Sequence, residues 1–144
     1  MKKQKFTRTL LYFLMATFML SGFYGCKKYE EGPFISLLTK KARIDNTWDL
    51  IQAYNDDVDI LDQVKIGEYE WRIDKNGSFV LINNSNTITG SWEFVSDKEE
   101  LKLMYDLSPT PSIWTIVQLK NNKMTLSRIK QDNTQEIYYY ETKK

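Results

Sequence analysis

Histidine is absent from the 144 residues of this chain, and cysteine occurs once. Without imidazole no Ser-His-Asp or Cys-His nucleophilic site can be assembled, no imidazole can hold a metal, and no side chain has an unperturbed pKa near 7. A single cysteine makes neither an internal disulfide nor a thiolate metal cage. Those absences leave a binding or structural module, or an enzyme that works with carboxylates alone. The rest of the composition is that of an ordinary globular chain, 42% hydrophobic and 27% charged, of a length that suits one domain.

Basic charge is concentrated at the start. Residues 1–9 carry Lys2, Lys3, Lys5 and Arg8 and no acid, an unbroken apolar run fills residues 10–20, and SGFYGC follows. A basic start, a short apolar run and small residues before a cut site are the parts of a secretory signal, and the run is short of the roughly 20 residues a membrane span needs. The only cysteine stands at its end as Gly25-Cys26. This arrangement resembles the lipobox of bacterial lipoproteins, which implies that Cys26 is lipidated and becomes the mature N-terminus. Phe23 and Tyr24 stand where the usual pattern has Leu and a small residue. An uncleaved signal anchor and a free Cys26 after ordinary cleavage are the alternatives. Cleavage after Gly25 takes away four basic side chains and no acid, leaving 16 basic and 19 acidic, a net charge of −3. Nucleic acid is therefore not an expected partner, because it calls for a clustered basic face.

Residues 26–35 are polar and turn-rich and read as a tether. Lys27-Lys28 followed by Glu30-Glu31 resembles the charged signals that follow the cysteine in surface-exported lipoproteins of some Gram-negative bacteria; a plain solvated linker is the other reading. Over residues 35–44 a short helix is expected, capped by Ser36 and turning Leu37, Leu38 and Ile44 to one side.

From Asn46 onward the hydrophobic period is two. In KIGEYEWRID, Tyr69, Trp71 and Ile73 alternate with Glu68, Glu70, Arg72 and Asp74, the mark of a strand with one wet face. Asn76-Gly77 joins it to SFVLIN, a hairpin signal. TITGSWEFV sets Ile88, Gly90, Trp92 and Phe94 on one face, ELKLMY sets Leu101, Leu103 and Tyr105, and NKMTLSR sets Met124 and Leu126. TWDLIQAY and TQEIYYYET are strands of ambiguous facing, and SIWTIVQL carries apolar residues on both parities, so a bulge is expected there. Short polar turns separate these runs, and no helical pattern lies between them. The pattern predicts an all-β domain over residues 36–144: an antiparallel up-and-down β-barrel of about eight strands, preceded by the short helix.

The strand block resembles the lipocalin-like domain family of bacterial envelope lipoproteins. Members open with a short helix and a Gly-x-Trp strand, matched except at the glycine by Asn46-Thr47-Trp48. A turn with a small residue and Phe follows (Asn76-Gly77-Ser78-Phe79), then a second Gly-x-Trp (Gly90-Ser91-Trp92), and two Leu-x-Leu-like strands flanking an Ile-rich one. The resemblance implies an eight-stranded β-barrel whose interior holds a small apolar molecule or none; with the lipobox-like segment, a lipid-anchored place in the cell envelope, at the outer membrane, is expected, and no catalytic residues are. Two functions fit it. One is a binding module for a small apolar or amphipathic ligand; the other is a structural or accessory lipoprotein that docks on an envelope partner and takes no small molecule.

The remaining chemistry is thin. Asp56, Asp57, Asp59 and Asp62 cluster without the glycine or closing glutamate of a calcium loop, so no metal is expected. Glu68, Glu70, Asp74 and Glu99-Glu100 are carboxylates, but none has an apolar setting that would raise its pKa for glycoside hydrolysis. No cofactor motif occurs. The candidate ligand-binding residues are the inward aromatics Trp48, Tyr69, Trp71, Phe79, Trp92 and Phe94, which either line a pocket or fill the core. Tyr138-Tyr139-Tyr140 places at least one ring outside the barrel.

Overall fold

The computed structural model describes residues 38–143. The signal segment, the tether, Cys26, Ser36 and Leu37 lie outside the described residues. A five-residue helix, α1 (Lys40–Ile44), comes first, and its N-cap is Thr39, whose hydroxyl accepts a hydrogen bond from the Ala42 amide. Leu38 lies ahead of the helix and is exposed, while Ile44, from the same expected apolar face, is buried.

The strands are β1 (Asn46–Asn55), β2 (Val58–Asp59), β3 (Tyr69–Ile73), β4 (Ser78–Asn83), β5 (Asn86–Val95), β6 (Glu100–Tyr105), β7 (Ser112–Leu119), β8 (Lys123–Ile129) and β9 (Gln135–Thr142). Each pairs antiparallel with its neighbour in the sheet, and β1 pairs with β9 to close an eight-stranded up-and-down barrel, with β2 a small flap on β1. Closure removes the unpaired edges of an open sheet.

Alternation decides what enters the core. Tyr69, Trp71 and Ile73 are buried on β3, Leu101 and Leu103 on β6, and Met124 and Leu126 on β8. The ambiguous strands contain bulges. Register shifts between Leu50 and Gln52 on β1, so Trp48, Leu50 and Ala53 all face inward, and between Ile116 and Gln118 on β7, so Trp114, Ile116 and Leu119 do. An extra residue turns the side-chain parity over midway along a strand, which is why neither run alternates cleanly. The hairpin after β3 closes through Gly77, whose amide donates to the Asp74 carbonyl at 3.0 Å with φ at 101°, a backbone that glycine adopts without strain. Gly90 has a different task. A Cβ there would lie 2.2 Å from the Met104 carbonyl and 2.7 Å from Phe79 Cζ, so its bare backbone makes room for the Phe79 ring.

The connection between β1 and β3 corrects the expectation of plain polar turns. It holds β2 and a one-turn helix, α2 (Leu61–Val64). β1 pairs with β3 only from Asn46 to Trp48, and beyond that the two strands part. The inserted segment bridges the gap. Lys65 Nζ bonds Asp49 Oδ1 at 2.7 Å and the Leu50 carbonyl at 2.9 Å, while Asn83 Nδ2 donates to the Val64 carbonyl at 2.7 Å. Ile60, Leu61 and Val64 pack against the core from this segment. Two acids of the cluster, Asp56 and Asp59, serve the same local architecture. Asp56 Oδ1 accepts from the Gln135 amide at 2.9 Å, and Asp59 Oδ1 from the Leu61 amide at 2.8 Å.

Candidate binding site at the open end of the barrel

The two ends of the barrel differ. At the end where β1 begins, α1 lies across the opening. Ile44 and Trp48 are fully buried, Trp48 Nε1 donates to the Ile44 carbonyl at 3.0 Å, and Arg43 Nη1 donates to the Leu119 carbonyl at 2.8 Å. Asn46, where the resembled family has glycine, donates from Nδ2 to the Arg43 carbonyl at 3.0 Å and so helps end the helix. Trp92 and Phe94 belong to this plugged half. Their rings meet edge to face at 5.1 Å, and Trp92 Nε1 donates to the Asp74 carbonyl at 2.9 Å.

The other candidate aromatics form a packed column. Trp71 meets Phe79 edge to face at 6.3 Å and Tyr140 at 5.3 Å, Phe79 meets Tyr105 at 5.6 Å, and Tyr69 lies 6.5 Å from Tyr140. Five of the six candidates, Trp48, Tyr69, Trp71, Phe79 and Trp92, are buried, and Phe94 is half-buried. Most of these rings pack on one another, which favours core filling over a wide apolar chamber. The structure does not gather all six round one chamber: Trp92 and Phe94 pair with each other, while Trp71, the register partner of Trp48 across β1 and β3, packs on Phe79 and joins Tyr69 through Tyr140. Trp71 Nε1 is shut off from solvent without a hydrogen-bond partner.

At the open end the inward parity becomes polar. Registers place Asn55 beside Glu136, Glu136 beside Arg128, and Ser112 beside Leu103, two residues before Tyr105. Asn55, Glu136, Arg128, Ser112 and Tyr105 thus form a belt across five neighbouring strands. Arg128 is its centre. Nη2 pairs with Glu136 Oε2 at 2.6 Å, Nη1 donates to Ser112 Oγ at 3.1 Å, and the guanidinium lies over the Trp114 ring at 4.3 Å. Glu136 is buried and takes a second cation, Lys130, at 3.7 Å. A buried carboxylate is tolerated only with such pairing. Asn55 Oδ1 is closed to solvent and unpartnered.

Burial shapes the tyrosines of this half. Desolvation raises the phenol of Tyr138 to about 12, with the neighbouring Glu136 adding to it, and raises those of Tyr69, Tyr105 and Tyr140 as well. On the outer wall Glu70 moves the other way, its carboxyl lowered by hydrogen bonds from Lys143 and Arg72. That is the reverse of what a general acid needs.

The wall itself is open at this end. Pairing of β7 with β8 stops at Thr115 and Ser127, so residues 112–114 part from residues 128–129, and the Arg128 side chain crosses the gap to Ser112 and Trp114. A cleft of about 800 Å³ lies there, lined by Thr110, Pro111, Ser112 and Ile113 on one side and residues 128–132 on the other. Sequence reasoning about β3, β4 and β5 could not reach this belt. The signal was available in spacing: Arg128 continues the parity of Met124 and Leu126, and Glu136 that of Tyr138 and Tyr140. No family model matches this chain, and no curated protein matches it at a significant level.

Proposed function

We propose that this protein is an envelope lipoprotein, lipid-anchored through Cys26, whose barrel binds a small amphipathic ligand at its open end. The anchor rests on the order of segments ahead of Cys26 and on that residue being the sole cysteine. Several acyl chains on one residue hold a protein at a membrane far more firmly than a single chain does. The binding half rests on one observation, the contrast between the ends. One end is plugged by α1, while the other parts its wall beside an inward belt of polar side chains. Buried polar groups cost stability unless they are satisfied or used, so a belt that includes the unpartnered Asn55 Oδ1 is a feature a purely structural barrel has no need of.

The packed aromatic column favours a shallow seat over a deep one, and it also gives weight to a second reading. An accessory lipoprotein would dock through exposed apolar side chains, and Leu107, Ile113 and Ile129 stand exposed around the same end. Thermal unfolding of the full chain in lipid nanodiscs, with a panel of fatty acids, sterol-like rings and short glycans, separates the two. The binding reading expects at least one guest to raise Tm, and the rise to disappear in Ile113→Glu, which sets a charge in the cleft from an exposed position. A panel in which every guest leaves Tm unchanged favours the accessory protein.

A further inference from the structure

The chemistry of the cleft narrows the ligand class; the argument rests on the open-end reading above. Charges in and beside the cleft cancel. Arg128 and Lys130 stand against Glu136 and Asp132, and Arg128 is already engaged with Glu136 through Nε and Nη2. A multiply charged anion or cation would therefore meet one repelling group for each attracting one. Hydrogen-bonding capacity is different. Ser112 and Thr110 carry hydroxyls, each a donor and an acceptor, and the Arg128 guanidinium has N–H groups beyond those it uses. Donors and acceptors are thus interleaved at close quarters without net charge. Ile113 and Ile129 are 48% and 73% exposed at the same place and supply apolar walls. The Trp114 face is covered by Arg128, so a flat aromatic guest finds no open ring there to stack on.

We propose that the cleft where β7 and β8 part binds a neutral, hydroxyl-rich ligand, a saccharide. Ser112, Thr110 and Arg128 bond its hydroxyls, and Ile113 and Ile129 cover its apolar C–H face. A sugar ring presents both surfaces at once, alternating hydroxyls at its edge and an apolar face, and matches this lining where a fatty acid matches only the isoleucines. At about 800 Å³ the cleft has room for more than one ring.

The test uses the full chain in lipid nanodiscs, which contain no sugar headgroup. Glucose, galactose, N-acetylglucosamine and their linear tetramers are titrated calorimetrically beside dodecanoate and a uronic acid. The indole N–H resonance of Trp114 is followed in parallel. The proposal expects saturable binding of at least one neutral saccharide with a shift of the Trp114 resonance. Thr110→Val and Ser112→Ala, which keep the fold's packing, should each weaken that binding by about 3- to 10-fold. Preference for dodecanoate or the uronic acid at the same resonance would overturn the saccharide assignment and leave the open-end reading standing. Saccharide binding that neither substitution changes would place the site elsewhere and overturn the assignment. Silence from every guest would overturn both.

Discussion

Raising the pH should unfold this barrel abruptly, and the buried tyrosines set where. Tyr140 is buried and its phenol stands well above the ordinary value of about 10, Tyr69 is raised for the same reason, and both lose water on folding. A group whose folded pKa lies above its unfolded one contributes stability that is intact below the unfolded value and is lost as pH rises toward the folded value. Above pH about 10 the unfolded chain releases the two protons while the native barrel keeps them. Each such proton lowers stability by about 1.4 kcal/mol per pH unit. The pair therefore removes about 2.7 kcal/mol per unit, or about 5 kcal/mol between pH 10 and 12, against a total of about 5–15 kcal/mol for a domain of ordinary stability. Tyr105 and Tyr138, half-buried and raised in the same direction, add a smaller and solvent-discounted amount. Far-ultraviolet dichroism and tyrosinate absorbance measured on one sample should change together in a cooperative step near pH 12, and Tyr69→Phe should flatten the alkaline limb. Smooth ionisation of all tyrosines near pH 10 with the strand signal intact would refute the packing described around Tyr69 and Tyr140.

Three further outcomes are expected. Trp92→Ala removes a buried ring and its hydrogen bond to Asp74 and should cost about 3–5 kcal/mol, whereas Glu93→Ala, losing one exposed pair with Lys102, should stay within about 0.5 kcal/mol in denaturant titrations; equal costs would mean a slipped register. Gly90→Ala drives a methyl into the Met104 carbonyl and the Phe79 ring and should destabilise by at least about 1–3 kcal/mol, read from the shift in denaturation midpoint. Cys26→Ala, expressed with a labelled fatty acid, should neither take up label nor be cut after Gly25; a mutant still cut and labelled would remove the anchor from the account.

Much of the barrel was legible because its strands keep strict alternation. β3, β5, β6 and β8 each show one apolar face, and each turned that face inward. Ile88 shares the inward parity of β5 yet is 37% exposed, since it stands at the rim where no layer lies above it. Less legible were the strands with bulges, where one inserted residue scrambles parity within β1 and β7. α2 was missed because a four-residue helix has no period to detect, and its apolar residues are scattered among acids. The helix ahead of β1 was anticipated, but its cap is Thr39 and not the more distant Ser36. For the site the lesson runs opposite. Aromatic content points to rings, and the structure spends those rings on packing. The polar belt is visible only once register sets Asn55, Glu136 and Arg128 side by side, because in the sequence they look like ordinary charged and amide residues near strand ends.

The claim that most needs testing is that the parted wall at the open end is where a guest sits. A crystal structure of the protein soaked with the guest that stabilises it most would settle the point. The account predicts that guest between Ser112 and Arg128, against Ile113 and Ile129. A guest found instead at the plugged end, in the hollow lined by Thr39, Lys40, Lys41, Phe94 and Lys98, would contradict it.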